Sequence, residues 1–525
     1  MMMNSDPSFH TGSSSEISRR DFLRGAAAAG AGVVLSRVAF DAWEPALAAA
    51  AETALPAVST FLSRDQVAEL IKIARSKGAP FAEVYGEYTI NTQFIVDEGE
   101  LKRVQYGILS GVGVRVLDGG VCGYAYADEY GMPALRDVAR VAAAVASKDP
   151  AGAPKAFAVS KAVAPFTLLR PAPLFANETQ KIDLALRASQ AARGKDPRIK
   201  QAQVTLADTA KAILIANSEG LWVEDRQFIS RISVNATAID GTNRQNGVGI
   251  SGGSVESDYF DRVQTPEQTG LRAAEAAINL LSAVDAKAGS YPVVVAPGWG
   301  GVLVHECFGH SLEGDGIRKK TSIREHQFGQ KVCSDIVDIF DDATVPNSRG
   351  SFKVDDEGTP SQKTHVVEKG VLKGYLWDRL NAELTGNKST GNGRRASYRD
   401  FPIPRMTNTY IAGGASNPDD LLGSVKNGVY CKNMGGGSVN PADGNFSFAV
   451  TEAYLIENGK LTSPVKDVTL TGNAANAMLN VEGLGNDLKV DQCTGSCGKD
   501  GQFKPVGVGQ PTVLFSEMTV GGTRG

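Results

Sequence analysis

His305-Glu306-Cys307-Phe308-Gly309-His310, entered through the apolar run Trp299-Gly-Gly-Val-Leu-Val304, is the stretch around which the rest of this chain can be ordered. Two histidines bracketing a glutamate form a zinc-hydrolase arrangement. Neutral imidazoles bind the ion, and the carboxylate between them acts as general base on a water held there. The chain has five histidines, His10, His305, His310, His326 and His365, and two of them fall in this one hexapeptide.

The spacing departs from the familiar H-E-x-x-H. There the histidines stand at i and i+4, about 40° apart on a helix; at i and i+5, about 500° of rotation leaves them roughly 140° apart. An unbroken α-helix would not aim both at one ion. The spacing therefore predicts a bulge or a helix end between them, which Gly309 permits. The competing reading puts one histidine in the core and the other in a loop.

A catalytic zinc site takes three protein ligands and keeps one position open. Cys307 sits too close to His305 for one short segment to direct all three side chains at the ion. Cys497 lies in Gly495-Ser-Cys-Gly-Lys-Asp-Gly-Gln502, read as a glycine-bracketed turn with an accessible thiol that Lys499 biases towards thiolate. From the residues alone, ligand and structural or disulfide cysteine both stay open. Glu313 and Asp315 read either as carboxylates that orient a histidine or as caps of the broken helix.

Outward from the motif, the chain sorts into modules. Ser63-Arg-Asp-Gln66 is a capping box that opens a helix ending by Gly78. Residues 81–128 alternate apolar and polar between Asp-Gly and Gly-Gly turns, which predicts antiparallel strands, and 132–147 reads as a second helix. After a Pro/Ala-rich linker the order recurs: a helix near 178–193, strands over 198–258, and a helix from Thr265-Pro266 to about 284. From the buried strand Tyr291–Ala296 onward the pattern is strand and turn. The expected fold class is α+β, with modules at 60–150 and 178–285, a linker at 151–177, and a larger β-rich domain at 288–525 that carries the metal motif. A chain of 525 residues is too long for one small core. A net charge of -4 and a pI near 5.9, without a basic stripe, give no electrostatic case for nucleic acid.

Residues 1–50 read as a twin-arginine export signal. Ser18-Arg-Arg-Asp-Phe-Leu-Arg24 precedes the apolar run Gly25–Leu35, and Pro45-Ala-Leu-Ala-Ala-Ala-Ala51 supplies a cleavage region. The apolar run is too short to span a bilayer stably, and no other span is visible. The expected location is periplasmic or extracytoplasmic, an oxidising space for the six cysteines.

Other patterns carry less. Gly247-Val-Gly-Ile-Ser-Gly252 fits G-x-G-x-x-G, and Gly249-Ile-Ser-Gly-Gly253 fits G-x-S-x-G, but neither has the strand-turn-helix setting its chemistry needs. Asp355-Asp356-Glu357 reads as a solvated acidic turn rather than a calcium loop. Arg394, Arg395 and Arg405 are candidates for holding a peptide carboxylate, against surface ion pairs.

The motif, continued by Ser311-Leu-Glu-Gly-Asp315, resembles the signature of the TldD/PmbA family of metallopeptidases. Asp355-Asp-Glu-Gly-Thr-Pro360, Gly391-Asn-Gly-Arg-Arg395, Pro404-Arg-Met-Thr-Asn-Thr-Tyr410, Gly435-Gly-Gly437, Glu452–Gly459, Gly485–Lys489, Cys497–Gln502 and Pro505–Pro511 are similar to its TldD branch, in the same order. The likeness is dense over about 290–523 and thinner over about 60–285. It implies Zn²⁺ held by His305, His310 and Cys497, with Glu306 as general base. Cys493 matches no family position and is left as a disulfide candidate. The resemblance also implies a dimer, with itself or with a motif-lacking PmbA/TldE-like subunit. The expected activity is zinc-dependent hydrolysis of peptides or unfolded polypeptides, bound by strand addition that reads backbone more than side chains. The alternative is a non-catalytic peptide-binding or scaffold protein with a structural zinc, which a fourth protein ligand would favour.

Overall fold

In a computed structural model, residues 16–17, 55, 57–147, 178–255, 258–491 and 493–522 are described. The linker read over 151–177, and all of the export signal but Glu16 and Ile17, lie outside them. Helix α1 (Arg64–Ala74) starts at the expected capping box: Ser63 accepts from the Gln66 amide and Gln66 returns the bond. Three strands follow, β1 (Phe81–Asp97), β2 (Glu100–Asp118) and β3 (Val121–Ala127), and then α2 (Met132–Ala146). The order recurs in α3 (Glu178–Gly194), β4 (Ile199–Asn217), β5 (Trp222–Asp240), β6 (Asn243–Gly253) and α4 (Pro266–Leu281). Thr265 and Gln268 form the second box.

The two modules are not two sheets. β1 pairs antiparallel with β4 from Glu83↔Asn217 to Val96↔Val204, giving one sheet in the order β3-β2-β1-β4-β5-β6. Strand alternation then separates its faces. Ala82, Val84, Phe94 and Val96 point to the helices, α1 and α2 over one half and α3 and α4 over the other. Gly247 and Gly249 belong to that packing. A Cβ on either would stand 2.1 Å from an α4 carbonyl oxygen, of Ala273 or Thr269, so these glycines admit a helix rather than a nucleotide.

Glu83, Tyr85 and Glu87 point to the opposite face, onto the C-terminal domain. That domain contains a closed ring of five strands: β7 (Gly289–Val295), β11 (Asn427–Val439), β12 (Asn445–Glu457), β13 (Val468–Asn473) and β17 (Val513–Gly521). β7 pairs with β11 and β17, and β12 and β13 complete the circuit. A second sheet is centred on β8 (Ile339–Asp342), β9 (Lys363–Glu368), β10 (Asn408–Ile411) and β16 (Gly507–Gln510). A separate two-stranded hairpin, β14 (Ser496–Lys499) and β15 (Gln502–Pro505), precedes β16 in the chain.

The acidic turn 355–357 is buried, not solvated, at this domain junction. Arg115 bridges Glu83 at 2.9 Å and Glu357 at 2.6 Å, while Asp356 accepts from Lys504 at 3.0 Å and from the Tyr85 hydroxyl at 3.1 Å. Charges of both signs enter the interior together, which offsets the cost of desolvating either alone.

Candidate metal centre

Val302–Val304 makes a short α-turn, His305–Gly309 is a π-turn, and His310–Leu312 tightens to a 3-10 turn. The His310 amide donates to the His305 carbonyl, five residues back. This is the bulge that the i, i+5 spacing requires. One extra residue in the turn brings the two imidazoles round to the same side. Their ring centroids are 5.3 Å apart and nearly perpendicular. Leu303, Val304, Cys307 and Phe308 face the apolar core shared with the five-stranded ring, which holds the turn down. Gly309 serves differently from expectation. Its backbone stays helical, and a Cβ there would lie 1.7 Å from the Met406 sulfur. The glycine makes room for a neighbour rather than a kink. Met406 lies in the family-like segment Pro404–Tyr410, but nothing in the sequence marks it as the neighbour of Gly309.

Cys497 reaches the same point from β14. Its sulfur is 3.2 Å from Nε2 of His305 and 3.2 Å from Nε2 of His310. The three donor atoms lie within 4.8 Å of one another. Nitrogen and sulfur donors sharing a tetrahedral ion, at bond lengths of about 2.1 and 2.3 Å, stand roughly 3.5 Å apart, so the set fits a zinc ion with little movement. Burial pushes the Cys497 thiol up, but His305 and His310 outweigh it and bring it down to about 4. That pull favours the thiolate, the form that binds metal. The thiol is 5% exposed on a strand, not open on a turn; Asp500 and Gly501, with positive φ, make the turn. Lys499 is engaged elsewhere. That ammonium is 2.6 Å from Asp315 and 3.1 Å from Glu313.

Glu306 follows His305 in the π-turn, with a carboxylate oxygen 3.8 Å from Nε2 of His310. Burial pushes its carboxyl up against the pull of both histidines. Glu313 stands behind His310, 3.3 Å from Nδ1. Burial would raise this carboxyl too, but Lys499, His310 and Arg405 bring it down to about 2, so it presents a full charge to the ring. A carboxylate on the far nitrogen fixes which nitrogen is offered to a metal. Asp315 reaches neither histidine and pairs with Lys499 instead. Among the described residues, His305 Nδ1 has no hydrogen-bond partner.

The three arginines are not free to take a substrate carboxylate. Arg394 donates to the carbonyls of Met406 and Pro505, Arg395 to Glu83 and to the Asp356 carbonyl, and Arg405 to the carbonyls of Cys497 and Gln502. All three are buried, and the guanidinium Nη groups bond inside the fold, while Nε of Arg395 and of Arg405 makes no hydrogen bond among the described residues. None of the six cysteines is in a disulfide in the structure, Cys493 included.

Three family models match in succession, described as PmbA/TldA metallopeptidase domain 1 (residues 82–146), central domain (172–281) and C-terminal domain (288–522). A model of the twin-arginine translocation signal sequence matches residues 16–36. A metalloprotease TldD homolog of Buchnera aphidicola is 39% identical over 84% of this chain and 93% of its own length. One of Haemophilus influenzae is 37% identical over 88% and 97%. Among solved structures, a Thermotoga maritima protein described in connection with DNA gyrase modulation superposes with a TM-score of 0.71 at 23% identity, covering 87% of this chain and 99% of its own. TldE from Thermococcus kodakarensis superposes at 0.69 with 19% identity, covering 87% and 100%. These two show the fold. The successive domain models and the identity to TldD relatives over nearly their whole length establish that this chain belongs to the PmbA/TldD metallopeptidase family, with a twin-arginine signal ahead of it.

Proposed function

We propose that this chain is an exported zinc metallopeptidase acting on peptides or unfolded polypeptides. The observation that carries the reading is the meeting of His305, His310 and Cys497 beside the Glu306 carboxylate. Among the described residues that donor group stops at three, which supports an open position over a closed structural site. A zinc ion held there supplies Lewis-acid polarisation of the scissile carbonyl and a lowered pKa for an attacking water. Glu306 takes the proton of that water and delivers it to the leaving amine. Glu313 keeps Nε2 of His310 turned inward. The family relation and the TldE-like fold support a dimer, with a second copy or a TldE-like subunit. The signal sequence supports a periplasmic place of action. No helix among the described residues is long and apolar enough to cross a membrane.

Purified mature protein is expected to carry about one zinc per chain and to cut an unfolded peptide mixture, as read by mass spectrometry. A chelator should stop cleavage and added zinc restore it. Stoichiometric zinc with an uncut mixture would leave a scaffold with structural zinc as the reading. The export arm is tested separately: Arg19→Lys with Arg20→Lys should hold the precursor inside the cell, and normal export of that double variant would refute a twin-arginine route.

A further inference from the structure

The histidines and the cysteine come from segments 187 residues apart. The π-turn fixes the first pair to each other, but it does not fix the β14–β15 hairpin that brings the third donor. One buried side chain touches both arms. Arg405 donates through Nη2 to the Cys497 carbonyl at 2.7 Å and through Nη1 to the Gln502 carbonyl at 2.9 Å, so its fork ties both strands of the hairpin. Its Nε stands 3.6 Å from Oε1 of Glu313, and Oε2 of the same carboxylate is 3.3 Å from His310 Nδ1. The Arg405 backbone is itself pinned, since its amide donates to the Asn392 carbonyl and its carbonyl accepts from the Asn392 amide group, both at 2.9 Å.

We propose that Arg405 is a positioning residue that sets the separation of Cys497 from His310, and through it the affinity of the site for metal. This rests on the reading of His305, His310 and Cys497 as a metal site. Charge alone does not explain Arg405. Lys499 already neutralises Glu313 at 3.1 Å. What Arg405 adds is shape: a planar guanidinium bonds two carbonyls on two strands while its third nitrogen faces Glu313. A lysine ammonium keeps the charge but cannot hold that fork. Arg394 is a matched comparison. It is likewise buried and bonds the Met406 carbonyl and the Pro505 carbonyl at the end of β15, but among the described residues no hydrogen bond or ion pair joins it to Cys497, Gln502 or Glu313.

The test is competition for zinc against a chromophoric chelator, with the thiolate charge-transfer band of the cobalt-substituted protein as a second readout. Arg405→Lys is expected to weaken zinc binding about 10- to 100-fold and to weaken or shift the cobalt-thiolate band. Arg394→Lys should keep wild-type affinity and the wild-type band. Arg405→Gln, which reaches one carbonyl at most, stands in should Arg405→Lys not fold. Wild-type affinity and band in the folded Arg405 variant would overturn the inference, as would an equal loss in Arg394→Lys, which would mark general packing. A wild-type protein that binds no metal would instead overturn the site itself.

Discussion

Glu306→Gln is expected to lower peptide hydrolysis by at least about 100-fold while the protein keeps its zinc, the scale on which general-base catalysis contributes. The two halves of this expectation have separate causes. Zinc stays because Glu306 is not one of the three convergent donors. The glutamine amide has nearly the same size and leaves the π-turn packed as before. Hydrolysis falls because an amide cannot accept the proton of the attacking water. Glu313, the nearest alternative, is committed to His310 and Lys499. Turnover equal to wild type in this variant would remove Glu306 from the mechanism. Loss of zinc together with activity would make it a ligand instead.

Cys497→Ser is expected to lose most bound zinc and with it nearly all hydrolysis, whereas Cys493→Ser keeps both. The residues lie four apart and have opposite surroundings. His305 and His310 hold the Cys497 thiol down to about 4, despite its burial. Burial, with Asp491 nearby, pushes the Cys493 thiol up to about 12, so it remains a neutral thiol with no imidazole to serve. Metal needs the thiolate, and a serine hydroxyl does not ionise in its place. A Cys493–Cys497 disulfide would consume the ligand, so the two assignments exclude each other. Metal content by mass spectrometry of the native protein reads the difference directly. If both variants retained zinc equally, Cys497 would no longer be the third ligand.

Several elements were legible in the chain because their causes are local. Ser63 with Gln66 and Thr265 with Gln268 write helix starts within four residues. The apolar-polar alternation of 81–128 and 198–258 writes half-buried strands. The five-residue step from His305 to His310 is incompatible with α-helical rotation if both rings serve one ion, so the need for a bulge was written there too. The type of break was not: it is a π-turn, and Gly309 is small to admit Met406, a residue 97 positions away in the chain. Cys497 was marked by its words, yet its burial and its two imidazole neighbours exist only once β14 is laid against the π-turn. The same holds for Arg394, Arg395, Arg405 and the acidic turn 355–357. Their composition suggests solvent or substrate, because a lone charge belongs in water. Inside the fold each meets a partner far along the sequence, as Arg115 meets Glu357 242 residues away. The joining of β1 to β4 into one sheet likewise depends on an edge that no periodicity specifies. What the sequence determined by itself is the set of local conformations and the chemistry carried by the motif. What only the tertiary structure decided is which charges are buried, against whom, and at what distance the third donor stands, since burial and pairing are properties of segments brought together.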